Sequence, residues 1–302
     1  MCGIVGLISD RPVSVALYES LTALQHRGQD SAGLATYSDH FHVKKGLGYV
    51  REVFAQHDVA KLAGSMGIGH VRYATVGGGT LEDIQPFQVN SPYGIALVHN
   101  GNVYNVWQLR EELYERDLRQ INSQNDAEVI LNVFAAALSR SQGGDFLEAI
   151  ARAVASVFDR VRGAYAVVAM IAGKGLVAFR DPHGIRPLVW GVRRGTPAGH
   201  LFASENGMFD FLGYDFVRDI EPGEVVFVDL KGTVHQRIVR QDVFRPCAFE
   251  YVYFARPDAL LNGVSVYRAR LRMGQNLAGK IRAALPGLRL DVVIPAPQSA
   301  VT

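Results

Sequence analysis

The chain has 302 residues, 48% of them apolar, enough for one large domain or two ordinary ones, and this excludes a disordered chain. Its 31 basic and 29 acidic residues leave a net charge of +2, which excludes a nucleic acid or an acidic membrane surface as the main partner. Two cysteines, Cys2 and Cys247, are too few for a disulfide-stapled secreted protein of this size.

The first element expected is a buried strand over residues 3–8, a short apolar run with β-branched members. Val13, Leu17, Leu21 and Leu24 recur at helical spacing and predict an amphipathic helix ending near His26. Glycine-punctuated strands follow over 33–101, clearest at 67–73 and 94–99. Helices are expected over 103–117, 127–140 and 146–158, the last with Asp145 as its N-cap. Strands return at 164–171 and 176–180, joined by the hairpin signal Ala172-Gly173-Lys174-Gly175, and again at 187–191, 201–203, 224–229 and 233–239. Strands, then helices, then strands imply two sheets with helices packed around them. Beyond Gln241 come the aromatic run 249–254, a helix over 267–284 and a parallel strand over 291–295. No charged segment leads into an apolar one at the start, and only Met1 precedes Cys2, so neither a signal peptide nor a lipoprotein anchor is expected. The longest apolar stretch, 163–179, is broken by Lys174 and too short for a bilayer. These features predict a soluble, cytoplasmic protein.

Cys2 has a particular chemical use. Its small side chain permits removal of Met1, which leaves a thiol and an α-amine on one residue. A free α-amine has a pKa of about 7.7–8.0 and can take the thiol proton near neutral pH, directly or through a water. Taken alone, Cys2 is more simply a small buried residue at a strand start. Arg72 or Asp126 alone would be a surface charge, and Asn100-Gly101 alone a turn.

The remaining motifs change that balance. Cys2-Gly3-Ile4-Val5-Gly6 resembles the opening of the class II glutamine amidotransferases, which are N-terminal nucleophile hydrolases. His26-Arg27-Gly28-Gln29-Asp30-Ser31-Ala32-Gly33, Gly69-His70-Val71-Arg72-Tyr73-Ala74-Thr75 and His99-Asn100-Gly101-Asn102 are similar to their next signatures. Asn125-Asp126-Ala127-Glu128 resembles the fifth, altered from the usual Ser-Asp-Thr-Glu. The resemblance implies an α+β fold, the four-layer α/β/β/α sandwich of that superfamily. It implies L-glutamine as substrate, Cys2 as nucleophile, and the Asn100 side chain with the Gly101 backbone N–H as an oxyanion hole. It implies Arg72 on the substrate carboxylate, Asp126 on its ammonium, and Arg27 and Thr75 as further substrate-binding residues, with Arg27 near the nucleophile and helping to order the site. No metal ligand is expected.

Phe179-Arg180-Asp181-Pro182-His183-Gly184-Ile185-Arg186-Pro187-Leu188 and 247–258 closely resemble the amidophosphoribosyltransferases, as does the run from Val264 to Gly274. That family joins the glutaminase to a type I phosphoribosyltransferase domain. Ammonia is passed through a dry channel to phosphoribosyl pyrophosphate, giving 5-phosphoribosylamine at the first step of purine biosynthesis. Water in the passage would convert ammonia to unreactive ammonium. The resemblance implies a glutaminase domain over 2–240, then a linker and the truncated start of the second domain over 241–302. Phosphoribosyl pyrophosphate would bind only where that second domain is present. Magnesium is expected at its site, yet no adjacent acidic pair here leads into a Gly/Thr-rich loop. The segment reads Pro295-Ala296-Pro297-Gln298-Ser299, where the family commonly has an acidic residue at the Gln298 position. Some members carry an iron–sulfur cluster, and Cys247 occupies a position where one ligand can lie, so the cluster stays open for this chain. Members often form homo-oligomers. Two alternatives stand beside this reading: a free-standing glutaminase supplying ammonia to another protein, and a non-catalytic regulatory protein on the same fold.

Overall fold

In the computed structural model, which describes residues 2–73, 80–141, 144–195 and 199–296, the apolar run after Cys2 becomes strand β1 (Gly3–Ile8), buried throughout. The two-residue period of a strand sends Ile4 and Ile8 into one apolar cluster and Val5 and Leu7 into another. Packed layers on both faces explain why this run carries no polar alternation.

The chain continues through α1 (Ser14–Ala23), β2 (Ser31–Tyr37), β3 (Phe41–Leu47), α2 (Val50–Val53), α3 (Gln56–Lys61), β4 (Met66–Arg72), β5 (Phe87–Val89) and β6 (Ile95–Val103). Three longer helices follow, α4 (Val106–Asp117), α5 (Asp126–Arg140) and α6 (Phe146–Arg160). Next come β7 (Gly163–Ile171), β8 (Gly175–Arg180), β9 (Val189–Arg193), β10 (His200–Ala203), β11 (Tyr214–Asp219), β12 (Glu224–Asp229) and β13 (Val234–Ile238). A π-helical turn at Glu250–Phe254, the small hairpin of β14 (Leu260–Leu261) and β15 (Val264–Ser265), and α7 (Val266–Ala284) complete the described elements.

One seven-stranded sheet has the order β11-β9-β10-β1-β4-β2-β3, and a six-stranded sheet runs β13-β12-β8-β7-β6-β5. Neighbours in both are antiparallel. Ile4, Ile68, Val98, Val168 and Ala178 fill the space between the sheets. Outside the first sheet, Leu17 and Leu21 of α1 and Val53 of α2 pack on Val5 and Leu34. Outside the second, Ile130, Phe134, Val154 and Phe158 of α5 and α6 cover Leu97, Val167 and Phe179. The result is the four-layer α/β/β/α sandwich expected.

The differences are local. β6 runs on to Val103 and stays in register with β7 up to Gly163, so Asn100-Gly101 lies within a strand rather than at a turn, and α4 begins three residues later than expected. No strand forms over 291–295; residues 292–296 are irregular and exposed, and no described strand lies beside them to supply a ladder. α7 forms with Ser265 as its N-cap, yet only Val266 and Arg270 of it are buried, and its apolar stripe of Tyr267, Leu271 and Leu277 faces out. Ala255, Ala259, Leu261 and Val266 pack into the same cluster as Leu17 and Leu21, so the chain beyond Gln241 shares a core with the seven-stranded sheet. Among the described residues no helix is long and apolar enough to cross a membrane.

Candidate active site

β1 pairs with β4 so that Gly3 lies opposite Val71, which sets Cys2 beside the end of β4. Cys2 is partly buried, with Sγ 3.9 Å from the Tyr73 carbonyl oxygen. Its backbone N–H donates to Asn100 Oδ1 at 3.1 Å, across to the other sheet. Asn100 is fully buried, and its Nδ2 has no hydrogen-bond partner.

The edge of β6 forms the next wall. β5 pairs with Ile95, Ala96 and Leu97, and among the described residues no strand pairs with that edge of β6 beyond them. Along that edge His99 N–H donates to Gln85 Oε1 at 2.7 Å and Val103 N–H donates to Asp126 Oδ2 at 2.8 Å. The strand period aims the Gly101 N–H, midway between them, at the same edge. On the other side Gly101 stands opposite Tyr165, whose backbone groups bond Asp181 instead. A Cβ on Gly101 would fall 1.9 Å from Ala164 O and 2.8 Å from His99 Nε2, so only glycine fits there.

α5 presents Asp126 from its first turn. Asn125 is the N-cap: its Oδ1 accepts from Ala127 N–H at 2.9 Å, and its Nδ2 donates to Asp83 O at 2.8 Å. Asparagine caps as well as the serine usual at this position, so the altered motif keeps its geometry. The helix N-terminus favours a carboxylate at Asp126. His99 Nδ1 lies 3.7 Å from Asp126 Oδ1.

Cys2, Arg72, Gly101 and Asp126 thus line one cavity of about 170 Å³, with Tyr73, Gln85, His99, Asn102, Tyr104, Trp107 and Arg110 among the other walls. Asn100 backs the cavity through its bond to Cys2. Thr75 lies outside the described residues. Burial pushes the Cys2 thiol up; a backbone hydrogen bond at Tyr73 and the charge of Arg72 pull it down, and Asp126 pushes it up again. The thiol therefore rests protonated and needs a base. His70 and His99 are both held down by burial, His70 far below its ordinary value, and neither ring is hydrogen-bonded to Cys2.

A family model described as a glutamine amidotransferase domain matches residues 70–211. The chain is 50% identical to an amidophosphoribosyltransferase of Pseudomonas aeruginosa, over 100% of this chain and 61% of that protein. Among solved structures, an allosteric regulatory enzyme of purine biosynthesis superposes with a TM-score of 0.86 at 32% identity, over 99% of this chain and 61% of the other. The glutamine phosphoribosylpyrophosphate amidotransferase of B. subtilis, complexed with ADP and GMP, gives 0.85 at 31% identity, over 99% and 62%. Along its full length the chain is similar to the amidophosphoribosyltransferases. It spans about three fifths of the length of the curated relatives it matches.

Against the expectation for an amidophosphoribosyltransferase glutaminase site, Arg27 departs from the substrate-binding role. Its guanidinium is fully buried, absent from the cavity wall, and committed to Glu205, Glu250 and the Cys2 carbonyl. Burial alone would lower its pKa, but the charges of Glu250 and Glu205 outweigh this and raise it. Gly28, next in the motif, has no room for a Cβ, which would fall 2.4 Å from the Arg72 backbone. The glycine thereby lets this loop close on the end of β4.

Motif reasoning passed over Gln85, Trp107 and Arg110. Gln85 carries no local signal, because its partner His99 is fourteen residues away. Trp107 and Arg110 sit three apart on α4 and stack at 5.4 Å, a spacing readable as a shared helix face.

Within these 302 residues there are two cysteines, where an iron–sulfur cluster takes four thiolates. Asp83, in the acidic pair Glu82-Asp83, is spent on accepting from Gln124 N–H at 2.9 Å. Asp39, His40 and His42 form the one group of three metal-ligating side chains among the described residues, and none of them lines the cavity.

Proposed function

We propose that this chain hydrolyses the side-chain amide of glutamine at Cys2, and that the ammonia is destined for phosphoribosyl pyrophosphate. One observation carries the reading: a thiol, a guanidinium, a carboxylate and an outward backbone N–H, from Cys2, Arg72, Asp126 and Gly101, meet in one cavity. Arg72 binds the α-carboxylate as a planar two-pronged donor, and Asp126 binds the α-ammonium. The pair selects a free amino acid over a glutamine inside a peptide.

With Met1 removed, the α-amine of Cys2 takes the thiol proton, and the thiolate attacks the amide carbon. The Gly101 N–H and the unspent Asn100 Nδ2 hold the resulting oxyanion. Loss of one such donor costs about 10²–10³ in rate. The amine returns its proton to the leaving nitrogen, ammonia departs, and a thioester to Cys2 remains. Water then attacks the thioester, giving glutamate and the free thiol. His70 and His99 are neutral and stay outside these steps. The acceptor half of the reading, transfer to phosphoribosyl pyrophosphate, is supported by what the relatives are. It also makes residues from about 267 onward, with their outward apolar stripe, the start of a phosphoribosyltransferase domain.

Cys2→Ala is the direct test. Glutamate release should be abolished while the melting temperature stays within a few degrees of the parent. Undiminished release from a folded Cys2→Ala protein would sink the mechanism.

A further inference from the structure

We propose that Glu250 is a positioning residue for Cys2, acting through Arg27. The proposal rests on the reading of Cys2 as nucleophile. Glu250 takes the Arg27 fork in both oxygens, with Nη1 at 2.9 Å and Nη2 at 2.8 Å. Glu205 holds the same guanidinium from the other side and also accepts from His26 and from the Arg256 N–H. The remaining bond, from Arg27 Nε at 3.0 Å, goes to the carbonyl oxygen of Cys2. Both glutamates and Arg27 are buried.

A buried ion cluster of this kind is no thrifty way to stabilise a fold, since apolar side chains of equal volume do as well or better. It does fix direction. Cys2 immediately precedes β1, and on the proposed loss of Met1 it becomes the terminal residue. Its carbonyl orientation, set by Arg27, decides where both the thiol and the amine project from the same Cα. The Asn100 contact fixes only the nitrogen side. Catalysis is sensitive to such placement: about 1 Å of error can cost 10²-fold.

Glu250 itself does not belong to the sheets. It begins the π-helical turn, and Arg270 of α7 clamps that turn by donating to the carbonyls of Tyr251 and Ala255 at 2.9 and 2.7 Å. The nucleophile is therefore held from the segment leading toward α7, through a guanidinium that never meets substrate.

The test uses the whole chain with Glu250→Gln, which keeps shape and removes charge, and Glu250→Asp, which keeps charge and shortens reach. Steady-state glutamine hydrolysis should show kcat of Glu250→Gln falling roughly tenfold or more, with KM within about twofold, and part of kcat returning in Glu250→Asp. The pH profile of Cys2 alkylation by iodoacetamide should move to higher pH in Glu250→Gln, because thiol and amine are no longer aligned. A parental kcat in folded Glu250→Gln, or a loss that appears only in KM, overturns the proposal. Should Glu250→Gln fail to fold by near-ultraviolet circular dichroism, Glu250→Asp decides, and a parental kcat there overturns it. Should the parent release no glutamate, the proposed function fails on its own, and the alkylation profile still tests Glu250: an unmoved profile overturns the positioning role.

Discussion

At the end of β4, Arg72 is buried to 4% exposure and opens on the cavity beside Cys2, so what it can bind is decided by the shape of its head group. Lysine would keep the charge and lose the fork. Arg72→Lys should raise KM for glutamine by about tenfold with kcat nearly kept, the loss expected for one charge-assisted bond made equally before and during reaction. An unchanged KM would show that the carboxylate binds elsewhere. Residues of this kind were legible in the sequence because their chemistry is carried by the side chain itself: a second-position thiol, an arginine, an aspartate. Arg27 was legible as a residue near the nucleophile that helps order the site, but its partners were not, since Glu205 and Glu250 lie 178 and 223 residues away. Gln85 was hidden for the same reason, its role being a contact rather than a type.

On the scale of elements, the site is made by two ends and one edge: the end of β4, the start of α5 and the edge of β6. Asn125 makes the second of these. Asn125→Ala removes the cap of α5 and a bond to Asp83, and should cost about 1 kcal/mol in a urea titration, with KM for glutamine rising as Asp126 loosens. No loss of stability would mean that α5 is held by its buried face alone. Strands buried on both faces, such as β1, β7 and β12, were readable as apolar runs, and so was the Gly173 hairpin. β2, β3, β5 and β11 fell into a stretch read only as strand-rich, or into no element, because glycine, lysine and exposed residues interrupt their pattern. β6 was cut short at His99 because Asn-Gly ordinarily marks a turn; pairing with β7 overrides that preference.

For the molecule as a whole, the buried histidines and the Arg27 cluster set an acid limit. The folded pKa of His70 lies well below the ordinary 6.5 because burial disfavours its charge. The unfolded chain therefore binds a proton that the folded one refuses, and stability is full above about pH 6.5 and falls as the pH drops below it. Glu205 adds a second window. Burial pushes it up, but Arg27 and His26 pull it down to about 2 from 4.5, so its contribution is present above about 4.5 and disappears as the pH falls toward 2. Urea midpoints measured from pH 8 to 4 should begin to fall near 6.5, and His70→Gln should flatten the first part of that fall. A midpoint constant down to pH 5 would contradict the buried, neutral histidine. The sandwich itself could be expected from the order of strands and helices and from the motifs. The docking of 255–266 on the first core could not, since no local pattern tells which face of a sheet a later segment will cover.

The account stands or falls on Cys2 acting as the first residue of the processed chain. The most direct measurement is peptide mass mapping of active protein treated with an electrophilic glutamine analogue. The account predicts loss of Met1, one adduct on the Cys2 thiol with its amine unmodified, and loss of glutamate release in proportion to labelling. Hydrolysis persisting with Met1 still attached, or an inactivating adduct on any other residue, would contradict it.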